Sequence, residues 1–453
     1  MNFERHITSH LESWKAREHR KPLILRGARQ VGRTTLVKTF SKRYDFFIHL
    51  NLEKPSDKSF FEAYDDVHSI VESLFLLNNI DVDKQKNTLL FIDEIQELPK
   101  AIHLLRYFLE EVPDLHVIAA GSLLEFAMKD VESFPVGRVE FLFLHPLNFA
   151  EYLHAIGHNA ILDQLIKIPV NPVAHKLALN LFHRYAIIGG MPEVVKRDIK
   201  DKSLASLPRV YESIWSSYKE DVEKYASNQS ERNIIRHIMD TAPLYMDQRV
   251  KFQNFGNSNY KSREVGGAMR NLNAAKIIQL IYPTTDMLPP IKPDLKKSPR
   301  LQFLDTGLVN YTLGIQAQLL SMNDLSQAFK GALIPHIITQ ELLSLNTITN
   351  SKPYFWVREK LQASSEVDVV YPYEDKVIPI EVKSGSTGTL RSLHFFMDGV
   401  QHPYAVRIYA GEFKIESLET LNGKSFLLMN LPYYLGTQLP SYLHYFVNDY
   451  AAD

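Results

Sequence analysis

Four apolar runs punctuate the first third of the chain: Leu23-Ile24-Leu25, Phe46-Phe47-Ile48-His49-Leu50-Asn51-Leu52, Thr88-Leu89-Leu90-Phe91-Ile92 and Leu115-His116-Val117-Ile118-Ala119-Ala120. Runs of this kind suit strands buried on both faces of a parallel sheet. A fifth segment, Glu140-Phe141-Leu142-Phe143-Leu144, alternates as a strand. Helical stretches lie between them, and an amphipathic helix around Ile7, Leu11 and Trp14 leads into the first run. The pattern predicts an α/β domain over residues 1–155, three layers about a parallel sheet. Residues 156–225 read as mainly helical, broken by Pro169 to Pro172 and by Gly189-Gly190, as a helical lid would be. Over 226–315, a helix at Glu231–Asp240, a polar stretch from Gln253 to Ser262, a helix at Glu264–Leu272 and short strands suit a winged helix. Residues 316–453 form a last α/β domain, where Glu366–Tyr371 and Val377–Lys383 make a hairpin.

Length changes this picture little: 453 residues exceed one ordinary core and call for several domains. A 45% hydrophobic and 23% charged composition is that of a globular protein. With no cysteine, disulfides and thiolate metal sites are excluded, and a cytoplasmic setting is expected. The start, Met1-Asn2-Phe3-Glu4-Arg5-His6, lacks a secretory pattern, and no apolar run approaches the roughly 20 residues that span a bilayer, so no membrane partner is expected. A net charge of −1 gives no global attraction to nucleic acid.

Candidate chemistry begins where the first strand ends. Gly27-Ala28-Arg29-Gln30-Val31-Gly32-Arg33-Thr34, followed by Thr35 and a helix, has the spacing of a phosphate-binding P-loop, with Arg33 at the lysine position. Its glycines let backbone N–H groups turn toward phosphate oxygens, and the helix points its positive end at the same anion. Thr34 is a Mg²⁺ ligand in this reading. Arginine keeps the charge of lysine but is bulkier and forked, so nucleotide binding is expected to survive and hydrolysis to slow. The third run ends in Asp93-Glu94 at the carboxyl edge of the sheet. Asp93 would hold Mg²⁺ and Glu94 would orient or deprotonate water. Ser122, after the fourth run, occupies a sensor position. Arg138 is either an arginine finger or a surface arginine in a turn.

Together Gly27–Thr34, Leu89–Gln96, Ala119–Phe126, Phe134–Leu153 and Ile187–Val195 resemble, in order, the landmarks of a bacterial and archaeal family. Its members join an AAA-type P-loop ATPase, close to the STAND and archaeal-type branch, to a C-terminal domain of unknown function. The resemblance covers essentially the whole chain. It implies that Gly190-Met191-Pro192 in the lid contacts the nucleotide region, with Pro192 among the binding residues. The family pattern has lysine where this chain has Arg33.

The last domain holds a second constellation. Asp368 on one hairpin strand faces Glu381 and Lys383 on the other, and the last two share a face because strand side chains alternate. This D…E-x-K grouping resembles the PD-(D/E)XK nuclease core, in which Asp368 and Glu381 would bind Mg²⁺ and Lys383 would help activate water. A helical glutamate expected after Gly331-Ala332-Leu333-Ile334 is replaced by Pro335, with Glu341 further on. A degenerate fold kept for binding or packing is the competing reading. Arg263, Arg270, Lys292, Lys296, Lys297 and Arg300 are candidate DNA phosphate contacts. The 17 histidines show no zinc spacing, and His49 and His145 read as core or hydrogen-bonding residues. Tyr433, Tyr434, Tyr442 and Tyr445 suit edge-strand packing better than base stacking.

The expectation is an ATP- and Mg²⁺-binding AAA-type ATPase, with turnover impaired by Arg33, regulating a nucleic-acid-binding or nuclease-like domain. The alternatives are a STAND-like nucleotide switch and a scaffold without nuclease activity. Nucleotide and DNA are the candidate partners, and a homo-oligomer is left open.

Overall fold

The computed structural model describes residues 3–121, 134–224, 226, 228–322, 325–360, 363–383 and 390–450. The chain divides into two compact units. The first is Met1–His145 with Ala274–Lys276 and Asn346–Asn350; the second holds Pro146–Asn273, Ile277–Leu345 and Ser351–Asp453.

In the first unit β1 (Leu23–Arg26), β2 (Phe46–Asn51), β3 (Thr88–Asp93), β4 (His116–Gly121) and β5 (Glu140–Phe143) form one sheet in the order β2-β3-β4-β1-β5. Every pairing is parallel. The continuous apolar runs of β3 and β4 are buried at every position, as two-sided burial requires. Among the described residues its helices are α1 (Thr8–Ala16), α2 (Arg33–Phe40), α3 (Pro55–Ala63), α4 (Val67–Leu77) and α5 (Pro99–Glu111). Asp66 caps α4 by accepting from Ser69 N at 2.8 Å, and Val67, Ile70, Val71 and Leu74 supply its buried stripe. Pro99 starts α5, whose Ile102, Leu105 and Phe108 pack with Ile24, Leu90, Ile92 and Val117 in one core. Each such side chain contributes about 1.5–3 kcal/mol by leaving water. This core fixes the strands whose carboxyl ends carry the two motifs, with β4 lying between β1 and β3.

The second unit opens with helices α6 (Phe149–Ala155), α7 (Asn159–Leu165), α8 (His175–Ile188), α9 (Pro192–Asp201) and α10 (Pro208–Lys224). Next come α11 (Gln229–Thr241) and α12 (Ser262–Ala274), then a two-stranded antiparallel pair of β6 (Ile278–Ile281) and β8 (Arg300–Phe303). Between these strands lies β7 (Pro283–Thr284), which pairs with a strand of the larger sheet. After α13 (Thr306–Thr312), α14 (Gln316–Leu320) and α15 (Leu333–Ser344) come β9 (Tyr354–Lys360), β10 (Ala363–Tyr373), β11 (Lys376–Val382), α16 (Arg391–Gly399), β12 (Tyr404–Tyr409), β13 (Lys414–Glu419), β14 (Ser425–Pro432) and α17 (Leu439–His444). The sheet is mixed and seven-stranded, ordered β13-β14-β12-β11-β10-β9-β7. Leu393, Phe396 and Met397 of α16 pack on Trp356, Val370, Val377, Ala405 and Leu428.

Polar contacts tie the two landmark segments of this unit together. Asp305 caps α13 by accepting from Leu308 N at 3.1 Å and also accepts from Gly190 N at 2.6 Å. Burial pushes Asp305 up to about 6, against those backbone bonds. Glu341 is buried and accepts from the Tyr185 hydroxyl at 2.6 Å and from Phe149 N at 3.1 Å, so its carboxylate joins helices α6, α8 and α15. Tyr433, Tyr434 and Tyr442 are buried and Tyr445 half-buried, as packing requires, but the first three lie on a 3-10 turn and on α17 rather than on an edge strand. The sheet ends before Tyr433, and the turn folds it back so that its hydroxyl donates to Lys383 O at 2.9 Å.

Candidate nucleotide site and a second carboxylate cluster

At the end of β1 the chain turns through Gly27–Gly32 into α2. Gly32 sits at φ 99°, ψ 21° as the N-cap of α2 and caps it with no side chain. The first N–H groups of the helix are thereby left facing an incoming anion. A side chain at Gly27 would meet Leu144 O at 2.4 Å, so the loop lies directly against the segment after β5. Ala28 and Val31 are buried, and Arg5 holds the loop by donating to Val31 O at 3.1 Å. Gln30, at φ 63°, completes the turn. Arg29 lies 4.0 Å from Glu53, and Thr35 is exposed on α2.

The two motifs converge. Thr34 Oγ1 donates to Asp93 Oδ2 at 2.7 Å. Burial pushes Asp93 up, but His49, the Thr34 hydroxyl and Arg33 outweigh it and hold the carboxyl below its ordinary range. Arg33 is buried; its Nη1 donates to Gly27 O at 2.8 Å and its Nη2 lies 3.6 Å from Glu94 Oε1. Glu94 follows the strand in the left-handed region, at φ 52° and ψ 45°, a conformation a non-glycine residue adopts at some cost. Burial raises Glu94 above the ordinary carboxylate range, opposed by Arg33 and Gln96.

A hydroxyl and an ionised carboxylate in contact form a hard-oxygen donor pair, which suits Mg²⁺; that ion keeps water and phosphate oxygens for its other positions. Among the described residues no group of three or more His, Asp or Glu is arranged to hold a metal on its own. The donor set therefore fits an ion shared with a nucleotide.

Of the other predicted residues, Ser122 lies outside the described residues. Arg138 is on the surface of the first unit and pairs with Glu110 at 2.9 Å. Pro192 is the first residue of α9 in the second unit. Near the acidic pair, Gln96 escaped the sequence reading, whereas His49 was expected as a core or hydrogen-bonding residue but not beside Asp93. His49 stacks on Phe91 with ring centroids 5.0 Å apart, its Nε2 3.6 Å from Asp93 Oδ2; Gln96 Nε2 donates to Glu94 Oε2 at 2.7 Å. The register that pairs His49 with Phe91, two residues before Asp93, was the available signal.

The second cluster also assembles. The β10–β11 register pairs Val369 with Ile380 and so sets Asp368 beside Glu381. Asp368 Oδ2 accepts from Val382 N at 2.9 Å, and Lys383 Nζ lies 2.5 Å from Glu381 Oε1. Burial and the Asp368 carboxylate push Glu381 up to about 7. Its Oε2 is buried with no hydrogen-bond partner among the described residues. Glu341 does not complete this site, because its carboxylate is engaged by Tyr185 and Phe149.

Arg300 corrects the expectation of a DNA contact. It is buried, its guanidinium 3.7 Å from both Asp247 and Asp368, paired with Glu366 and 4.5 Å above the Phe355 ring. A guanidinium with three carboxylate neighbours and no exposure cannot reach a phosphate backbone. Arg263, Arg270, Lys292 and Lys296 are exposed.

This loop, sheet order and acidic pair are those of a P-loop ATPase. Residues 19–153 match the family model described as an AAA domain, 179–319 match a domain of unknown function, DUF8612, and 330–432 match another, DUF4143. The chain thus carries a P-loop ATPase domain of the AAA type. No curated protein matches it. Among solved structures it is similar to the Walker-type ATPase PABY2304 of Pyrococcus abyssi, at 13% identity over 69% of this chain and 96% of that one, with a TM-score of 0.44. It is also similar to PH0952 of Pyrococcus horikoshii, a STAND protein with a tetratricopeptide-repeat sensor, at 8% identity and a TM-score of 0.30 over 76% of this chain; the match spans 48% of that protein. Among the described residues no helix is long and apolar enough to cross a membrane.

Proposed function

We propose that the first domain binds MgATP and hydrolyses it slowly, and that nucleotide state governs nucleic-acid engagement by the residues that follow. The contact of Thr34 with Asp93, 2.7 Å across two separate motifs, carries the nucleotide half of this reading. Gly27 to Gly32 cradle the phosphates through backbone N–H groups and Arg33 supplies positive charge to them. Thr34 and Asp93 hold Mg²⁺, which when bound screens phosphate charge. Glu94 takes a proton from the attacking water, and Ser122 senses the terminal phosphate. Arg263, Arg270, Lys292, Lys296 and Lys297 serve as phosphate contacts for DNA. Titration calorimetry with ATP, ADP and a non-hydrolysable analogue in Mg²⁺, repeated with DNA present, tests the reading; absence of heat with any nucleotide would end it.

Arg33 accounts for the slow step. To serve a phosphate it must give up Gly27 O and Glu94, two partners held by separate arms of its fork. A lysine carries one compact ammonium on a flexible stem and lacks the planar fork that spans both partners. Arg33→Lys should raise kcat about tenfold, a barrier change of roughly 1.4 kcal/mol, and leave the ATP Kd within a few-fold. Unchanged turnover with binding intact would place the defect elsewhere.

A second reading rests on Asp368, Glu381 and Lys383, where an unpartnered buried carboxylate oxygen is suited to a cation. Here the last domain is a Mg²⁺-dependent nuclease. Plasmid and single-stranded DNA should be cut in Mg²⁺ or Mn²⁺ by the wild type and about 100-fold more slowly by Asp368→Ala. Equal residual cleavage by the two would remove Asp368 from any mechanism.

A further inference from the structure

Gln96 stands between the acidic pair and the end of the central strand β4. It follows Glu94 by two residues on the short 3-10 turn Ile95–Glu97. A carboxylate only accepts hydrogen bonds, so the amide NH₂ of Gln96 faces Glu94 Oε2, at 2.7 Å. Its carbonyl Oε1 is thereby aimed the other way. That oxygen is buried, has no hydrogen-bond partner among the described residues, and lies against Gly121 at the end of β4. A Cβ at Gly121 would come within 2.5 Å of it. Glu94 is thus gripped at both oxygens, by Arg33 at Oε1 and by Gln96 at Oε2. Of these two, Arg33 is the group that must move to meet a phosphate, whereas Gln96 is wedged in place by the strand end.

We propose that Gln96 is a positioning residue for Glu94: braced against Gly121, it fixes the carboxylate that receives the water proton and couples that carboxylate to the end of β4. This rests on the hydrolytic reading of the first domain. A side chain held by one anchored hydrogen bond samples fewer wrong orientations, so the gain appears in the chemical step and not in nucleotide binding.

The test uses the full chain and two readouts. In single-turnover assays Gln96→Ala should lower the rate of ATP cleavage about tenfold or more. Calorimetric ATP affinity should stay within twofold. Gly121→Ala, which displaces Gln96 without touching Glu94, should reproduce that split, and the double variant should be no slower than either single one. Without nucleotide, Gly121→Ala should lower the melting temperature in the wild type and leave it unchanged in the Gln96→Ala background, where the opposing oxygen is gone. Cleavage rates unaffected by Gln96→Ala, with ATP still bound, would overturn the inference and leave the hydrolytic reading standing. Equal melting losses in both backgrounds would overturn the brace. Absence of ATP binding in the wild type would overturn the hydrolytic reading itself, and this inference with it.

Discussion

Glu94→Gln should bind MgATP and fail to turn it over, with kcat lowered about 10²- to 10⁴-fold, the range for losing a positioned general base. Glutamine keeps the shape and can still meet Gln96, but it cannot accept a proton. Affinity for ATP should hold or rise modestly, because Arg33 loses the carboxylate that now lies 3.6 Å from its Nη2 and becomes available to phosphate. Glu94 is well placed for the role: burial raises it above an ordinary carboxylate, and a base nearer the working pH gives up less driving force in proton transfer. Its left-handed backbone, φ 52°, turns the side chain away from the strand that delivers it. Single-turnover cleavage and calorimetry on the same preparation separate chemistry from binding. Residual turnover within threefold of the wild type would show that water is activated by another group.

The linear motifs foretold that Thr34 would meet Asp93 because a parallel sheet does the gathering. Thr34 and Asp93 are 59 residues apart, yet Asp93 ends β3 and Thr34 opens the helix that the loop after β1 leads into, and all carboxyl ends of a parallel sheet share one edge. A spacing pattern plus two buried strands therefore placed them together. Asp368 and Glu381 were legible for a similar reason, since a hairpin brings near neighbours in sequence face to face. The part played by Gln96 and the nearness of His49 to Asp93 were not, because they depend on strand register and on which way a side chain leaves a turn. Arg300 was misread outright. In a polar stretch beside Lys296 and Lys297 it has the look of a surface charge. Its carboxylate partners come from positions 53 to 68 residues away, on other elements, and no local pattern encodes them.

Arg300→Met should cost about 3–5 kcal/mol of stability, the range for removing one partner from a buried ion pair. Methionine can fill much of the volume over Phe355, so the loss is chiefly electrostatic. Asp247 is the sensitive partner. Burial pushes it up to about 7 even with Arg300 nearby, so in the folded chain it already ionises reluctantly. Burial also works against the Arg300 charge, but Asp247, Glu366 and Asp368 outweigh it and raise the guanidinium further. A carboxyl whose folded value lies above its unfolded value of 3.8 binds more protons folded than unfolded. Its contribution to stability is therefore lost as pH rises from about 4 to about 7. Without the guanidinium the folded value climbs further, and the window extends to higher pH. The deficit of Arg300→Met should thus be small near pH 4, where folded Asp247 is neutral with or without the guanidinium, and grow through pH 8. Urea unfolding at pH 5 and pH 8 reads this directly. A deficit equal at the two values would assign the loss to packing on Phe355. A deficit that grows with pH would make Arg300 the internal cation of this acidic group, and any divalent ion that Asp368 takes would have to compete with it.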